Sequence, residues 1–308
     1  MSLVLTACVL DALFGDPVYR WHPIRLLGQW SLYCEQALFA IDYNTRLGGV
    51  LHWLLVVGGA VGAWLFGHQL LALLHPAAAW LWDLFLAYSL LCTRDLLTQG
   101  WRMVRMLDDL PQARQQIQHL VGRDSAALDR AALVRATIES LAENFTDGVL
   151  TPLWVLCWLG LPGLIVVKAI STLDSMVGYR TARYQAFGWA AARSDDLIHW
   201  LPARCSVVLI AAASALLRLY PHSAIACAWR DHALLPSPNS GWSEAAVAGA
   251  LKVRLLGPLY YSGQQVNLAF IGDPAWPSQL DAADLKRALQ LILVASVLAL
   301  AVGMIPQL

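Results

Sequence analysis

Charge is scarce in this chain. Asp, Glu, Lys and Arg make up 14% of its 308 residues, where an average soluble domain carries about 25%. The 21 basic and 21 acidic residues cancel. No basic excess is left to displace phosphate counterions, which argues against a nucleic-acid partner. The six cysteines (Cys8, Cys34, Cys92, Cys157, Cys205 and Cys227) include no pair at C-x-x-C spacing. They read as small hydrophobes, not as a disulfide frame or zinc site. There is no GxxxxGK[ST], GxGxxG, HExxH or GxSxG stretch, so no classical nucleotide loop, zincin site or serine-hydrolase elbow is marked. The first ten residues have neither a basic n-region nor a small-residue cleavage site, and do not read as a cleaved signal peptide.

What is present is apolar surface. Hydrophobic residues are 58%, mean hydropathy is +0.54, and there are 14 Trp. That is too apolar for a solvated surface or for disorder. The expected class is an all-α, polytopic membrane protein forming one integral membrane domain over 1–308. A bilayer crossing takes about 20 apolar residues. Spans are expected near 1–14, 49–74, 77–92 and 288–308, with His75-Pro76 making a tight hairpin turn. Two further runs, 149–167 and 205–217, are broken or short, and are expected to re-enter or lie buried. The first is interrupted by Pro152 and by Gly160-Leu-Pro-Gly163, which is turn chemistry. Basic residues flank the 49–92 pair on both sides, which places those flanks in the cytoplasm. A re-entrant hairpin at 149–167 would keep the basic block 168–204 on the same side.

The charges are clustered. Of 42, 15 lie between Arg94 and Asp147 and 8 between Lys168 and Arg204. Residues 128–148 read as a helix whose Val134, Ile138, Leu141 and Phe145 form an apolar stripe. Arg135, Glu139, Glu143 and Asp147 form a second stripe, each four apart. Stacked carboxylates repel, so Arg135 and a divalent cation are expected to offset them; Mg2+ takes one or two carboxylates plus water and phosphate. The plain alternative is a solvated acidic face. Asp174 is isolated in an apolar stretch, and an ion at membrane depth is usually paired; Lys168 is its candidate partner, in a site or a structural salt bridge. Asp195 and Asp196 are adjacent, so they point to different faces; the plain alternative for such a doublet is a helix N-terminal charge. His22 is a ligand or acid/base candidate, or a capping histidine. Ser237-Pro-Asn239-Ser-Gly-Trp-Ser-Glu244 opens a small-residue helix. That pattern suits capping or a phosphate at the helix N-terminus.

These stretches resemble the adenosylcobinamide-phosphate synthase family of cobalamin biosynthesis. The resemblance rests on Asp11–Pro17 (DALFGDP) with His22-Pro23, Val121–Asp124 (VGRD), Arg135–Gly148 (RATIESLAENFTDG), Lys168–Tyr179 (KAISTLDSMVGY), Phe187–Arg204 (FGWAAARSDDLIHWLPAR) and Ser237–Gly263. They run in family order over nearly the whole chain. Ser171 and His199 stand where the family usually has Asn, and Leu256 where it has Gly.

The resemblance implies a multi-pass enzyme of the bacterial inner membrane with a cytoplasmic active face. It would be a ligase that joins the propionate of a corrinoid, adenosylcobyric acid, to aminopropanol phosphate or aminopropanol as an amide. It would use ATP and Mg2+, beside other late-pathway membrane enzymes. A carboxylate condenses with an amine at neutral pH only once activated, as in an acyl phosphate. Such chemistry needs a metal, phosphate clamps and a base. Glu139, Glu143 and Asp147 are the metal candidates. Arg123, Arg135, Arg180, Arg193, Arg204, His22, Asn239 and Glu244 are the substrate and phosphate candidates. Asp174, Asp196 and Lys168 are the catalytic candidates. The rivals are a transporter, which usually shows internal repeats that are missing here, and a non-catalytic membrane sensor. A topology reporter placed near Ser194 should give a cytoplasmic signal; a periplasmic signal there rejects the re-entrant hairpin.

Overall fold

The computed structural model describes residues 3–16, 19–118, 128–261 and 264–305, and describes no side chain between 259 and 268. It is helical apart from one hairpin. Among the described residues five helical stretches are long and apolar enough to cross a membrane: Arg46–Leu74, Pro76–Met106, Arg130–Val177, Trp189–Leu216 and Ala282–Met304. The polytopic all-α expectation therefore holds. The chain divides into two compact units.

Unit 1 comprises Met1–Arg94, Thr151–Ile198 and Gly303–Leu308. It contains α1 (Leu3–Phe14), α2 (Pro23–Ala40), α3 (Arg46–Leu74), α4 (Pro76–Ser89) and α8 (Thr151–Val177). It also takes the start of α9 (Trp189–Leu216). Each helix start follows from local chemistry. Thr45 Oγ1 accepts from the Gly48 N–H at the start of α3. His75 is the extended residue between α3 and α4, and its Nδ1 accepts from the Ala77 N–H. Pro23 and Pro76 occupy first-turn positions, where a missing N–H does no harm. The core joins Val56 and Val57 of α3 to Ala169, Ile170, Leu173 and Val177 of α8, with Phe187. Close approach depends on Gly49, where a Cβ would fall 1.8 Å from the Phe187 carbonyl oxygen.

The Gly/Pro break in 149–167 is present. Gly160 has φ 71° and ψ −167°, so α8 is two helical pieces meeting at a sharp kink. Positive φ is nearly free for Gly, and Pro162 two residues on removes a helix N–H.

The 205–217 run is corrected. It is not a short element but the second half of the 28-residue α9. The polar turns from Arg193 to Arg204 continue the same helix, because Ala190 to Arg193 are good helix formers and the charges leave the backbone free. Hydropathy registers only the apolar half.

Unit 2 comprises Asp95–Leu150 and His199–Val302. It contains most of α5 (Thr93–Met106), then α6 (Leu110–Ile117), α7 (Arg130–Asn144), the rest of α9, α10 (Pro221–Asp231), α11 (Ser240–Leu251) and nearly all of α12 (Ala282–Met304). The expected stripe on α7 is core: Val134, Ile138 and Phe145 are fully buried and Leu141 nearly so. After Asn144 the backbone widens into a π-helical turn, Phe145–Leu150. Every residue of α11 is buried, as its small side chains allow. An antiparallel hairpin, β1 (Leu255–Tyr261) and β2 (Gln264–Ile271), follows. The sequence reading did not contain it. Its register slips between Leu256 and Pro258.

The end of β2 is tied to α10 through Asp231. Its Oδ2 accepts from the Gly272 N–H at 2.8 Å, and Arg230 grips both carboxylate oxygens at 2.6 and 2.7 Å. Burial alone would raise the Asp231 pKa. The Arg230 and Gly272 hydrogen bonds outweigh it, so the pKa lies below the ordinary value. A depressed folded-state pKa stabilises the protein above the unfolded value, about 3.9 for Asp, and that stability is lost as pH falls through the folded value. Asp231→Ala should lower unfolding stability in detergent by about 1–3 kcal/mol at pH 7, through the stranded Gly272 N–H. The difference from the parent should shrink as pH drops below 4 (roughly the unfolded Asp value). Equal melts at pH 7 would reject the tie.

Candidate functional site

Unit 1 holds a polar cavity of about 440 Å3. Arg46 of α3, Arg180 beyond α8, and Arg193 and Asp196 of α9 line it. Arg193 and Asp196 lie one helical turn apart, with Nη1 and Oδ2 separated by 3.7 Å. The Arg46 guanidinium lies over the Trp189 ring, 5.6 Å from its centroid. Three guanidinium groups thus face one space with a single acidic side chain among the lining residues. Three of the sequence candidates, Arg180, Arg193 and Asp196, are brought together here.

Asp174 reaches the cavity wall at Gly178, where a Cβ would fall 1.9 Å from the Asp174 carboxylate. A glycine at that position leaves room for the carboxylate. Asp195 instead accepts from the Ser171 hydroxyl at 2.9 Å, as adjacent helical residues on different faces should. Lys168 does not pair with Asp174. Six residues separate them on one helix, about 240° around the axis, and Lys168 lines a different, apolar cavity of unit 1.

His22 is buried and both ring nitrogens are engaged. Nδ1 accepts from the Ile24 N–H at the start of α2, and Nε2 lies 2.8 Å from Asp16 Oδ1. His22 is thus the capping residue of α2.

In unit 2 the acidic stripe divides. Glu139 is buried, and its Oε1 accepts from the Leu256 N–H at 2.8 Å. Leu256 has φ 59°, a left-handed conformation that costs a non-Gly residue about 1–2 kcal/mol. The carboxylate holds the strained residue in place. Glu143 is exposed on the same helix. Asp147 falls in the π-helical turn, which breaks the four-residue spacing, and its Oδ1 lies 3.3 Å from His199 Nδ1. Arg135 donates to the Ser278 carbonyl at 2.6 Å. Among the described residues no three His, Cys, Asp or Glu side chains are placed to hold a metal ion together. A closed protein cage therefore does not fit. Glu143 is exposed and Asp147 half-buried, so an open Mg2+ site completed by phosphate and water would have to draw its carboxylates from these two.

The start of α11 forms the other polar feature of unit 2. Ser237 Oγ accepts from the N–H groups of Asn239 and Ser240. Arg204 donates to the Trp200 carbonyl at 2.6 Å and to Asn239 Oδ1 at 3.4 Å. Its guanidinium lies over the rings of Trp200 and Trp242, at 4.2 and 5.1 Å. His232 stacks on the other ring partner, Trp242, at 3.8 Å. Arg204 and Asn239 therefore meet, and Glu244 is buried in the first turns of the same helix. Arg123 lies outside the described residues.

Sequence reasoning missed Arg46, which it used only as a topology marker, and the pair of buried Glu35 with Arg183. That pair has an Nη2–Oε1 distance of 2.8 Å and a 3.0 Å bond from the Tyr184 hydroxyl. Glu35 is the only acid in α2, and that isolation is the signal that marks it.

The family model for the CobD/CbiB protein matches residues 4–292. The chain is 38% identical over 306 residues to the cobalamin biosynthesis protein CobD of Yersinia enterocolitica, covering 97% of this chain and 95% of that one. It is 40% identical over 302 residues to the CobD protein of Photorhabdus laumondii, covering 96% and 93%. It is 39% identical over 304 residues to the cobalamin biosynthesis protein CbiB of Salmonella typhimurium, again covering 96% and 93%. No solved structure matches it. The chain belongs to the CobD/CbiB family of cobalamin biosynthesis proteins.

Proposed function

We propose that this membrane protein forms an amide bond in late cobalamin biosynthesis, joining the propionate of adenosylcobyric acid to aminopropanol phosphate. Family membership supports the pathway. The observation that carries the reaction is the polar cavity of unit 1, where three arginines accompany one aspartate. A phosphorylated amine carries both matching charges. Its phosphate suits Arg46, Arg180 and Arg193, since guanidinium groups match phosphate oxygens in a planar fork. Its ammonium suits Asp196, which lies beside Arg193 and can take the proton that must leave before nitrogen attacks. Asp174 at the Gly178 wall is a second carboxylate for that proton.

In unit 2, Arg204 with Asn239 presents donors beside the ring faces of Trp200 and Trp242. That combination suits a carboxylate carried on a broad, partly apolar macrocycle. Glu143 and Asp147 are the residues that would hold Mg2+. ATP with Mg2+ supplies the carboxylate activation that amide formation at neutral pH requires. Glu139 keeps a structural role through Leu256. We place the protein in the bacterial inner membrane with these groups on the cytoplasmic side.

The test is direct. Purified protein in detergent receives adenosylcobyric acid, aminopropanol phosphate, ATP and Mg2+, and the amide is sought by mass. Arg180→Met should raise KM for aminopropanol phosphate about tenfold or more, as loss of a charged hydrogen bond implies, with little effect on free aminopropanol. Asp196→Asn should lower kcat about 100-fold, as loss of a general base implies. Glu143→Gln should shift the Mg2+ dependence. No amide under any metal condition would sink the reading.

A further inference from the structure

Unit 1 has a second cavity, unlike the first. It encloses about 570 Å3, within the range of small-molecule sites, about 300–1,000 Å3. Trp21, Trp30, Trp64, Trp82 and Phe85 are among its walls, and among the described residues Lys168 is the only charged one that lines it. The polar edges of the walls are already spent. Trp30 donates to the Leu55 carbonyl, Trp64 to Asp83 Oδ1 and Trp82 to the Trp64 carbonyl. The Tyr19 hydroxyl meets Ser89 Oγ at 3.4 Å. Those three indoles and the phenol therefore turn carbon toward the space. Gly59 makes part of the room: a Cβ there would crowd Trp30 at 2.9 Å.

Lys168 sits half-buried in α8, in an apolar run. No carboxylate lies within 4.0 Å of its ammonium among the described residues, and no described side chain accepts from it. A lone cation in such surroundings is costly unless something anionic joins it. The walls limit what that anion can be. They have no acidic group for a metal. A single ammonium is too little for a nucleotide triphosphate, and few free donors remain for a peptide backbone.

Three of the helices that line the cavity, α3, α4 and α8, belong to stretches able to cross a bilayer. Trp rings beside a Lys at the end of an apolar surface are the combination found at the headgroup level of membranes.

We infer that this cavity holds one anionic phospholipid, its phosphate on the Lys168 ammonium and an acyl chain along the faces of Trp30, Trp64 and Trp82. The inference is independent of the amide-forming reaction. The lipid would be a fixed part of the unit: it fills space between α2, α3, α4 and α8 and neutralises the buried charge.

The experiment is native mass spectrometry of the full chain in mild detergent, with phosphatidylglycerol, phosphatidylcholine, palmitate and adenosylcobyric acid titrated separately. One phosphatidylglycerol should be retained per chain. Its preference over phosphatidylcholine should be about fivefold or more, as one basic residue near an anionic headgroup gives. Lys168→Arg should keep the preference and Lys168→Met should abolish it. Ala63→Phe, which fills the cavity without touching the charge, should lower retention of both phospholipids. Circular dichroism and melting of each variant establish that it is folded. Where Lys168→Met fails that check, Lys168→Arg and Ala63→Phe decide. Equal retention of the two phospholipids, or tighter binding of palmitate than of phosphatidylglycerol, overturns the inference. So does displacement of phosphatidylglycerol by adenosylcobyric acid at equal concentration, which would assign the cavity to substrate.

Discussion

A charge in an apolar surrounding must be held by something, and much of this structure depends on how its few charges are held. An unpaired ion in a membrane bundle costs several kcal/mol or more. The buried acids answer this in different ways. Glu35 is gripped by Arg183 and Tyr184, Asp231 by Arg230 and a backbone N–H, and Glu139 by the N–H of Leu256. Asp83, inside a membrane-spanning stretch, takes hydrogen bonds from Trp64 and His68. Apart from the bond between the neighbours Arg230 and Asp231, these bonds tie together parts of the chain that are separated in sequence. The acids therefore do much of the work of fixing helices whose apolar surfaces alone specify little.

The same constraint separates structural from functional candidates. Glu139 is fully enclosed and spent on backbone, so it is poorly suited to a cation that exchanges with solvent. Glu143 is exposed one turn later on the same helix. Asp196 faces a solvent-sized space crowded with guanidinium groups, while its neighbour Asp195 is tied to Ser171. The sequence put Glu139 and Glu143 forward as metal candidates and Asp196, of the adjacent pair, as a catalytic one. Which of them stays open to a ligand is decided by partners far along the chain.

The parts of the fold that were legible were those with a strong local signal. The stripe Val134, Ile138, Leu141 and Phe145 follows helical periodicity, and all four are buried. The break at Gly160 was written in its Gly and Pro residues. The π-helical turn at 145–150 was not legible, because nothing in Phe-Thr-Asp-Gly-Val-Leu differs in composition from an α-helical exit. The β-hairpin was hidden because Gly257-Pro258 interrupts its first strand, and such a pair argues against a regular strand. Arg180, Arg193 and Asp196 were found as motif residues. Their meeting with Arg46, more than a hundred positions away, is a tertiary fact that no local pattern carries.

The three departures from the family's usual residues bear on the same acids. Ser171 donates to Asp195, His199 stands 3.3 Å from Asp147, and Leu256 gives its N–H to Glu139. An Asn amide at 171 could donate to Asp195 as the Ser hydroxyl does here, and at 199 the ring of His stands beside Asp147. The substitutions therefore keep a donor in place while changing its length and, for His199, its capacity for charge. The Leu256 departure is different in kind. A glycine would take φ 59° at no steric cost, whereas Leu takes it under strain and is itself buried. Burial of the leucine side chain, worth about 1.5–3 kcal/mol, offsets a backbone cost of about 1–2 kcal/mol. The Glu139 hydrogen bond then keeps the strained residue in register with β2. In this chain that carboxylate anchors the strand through the N–H of Leu256.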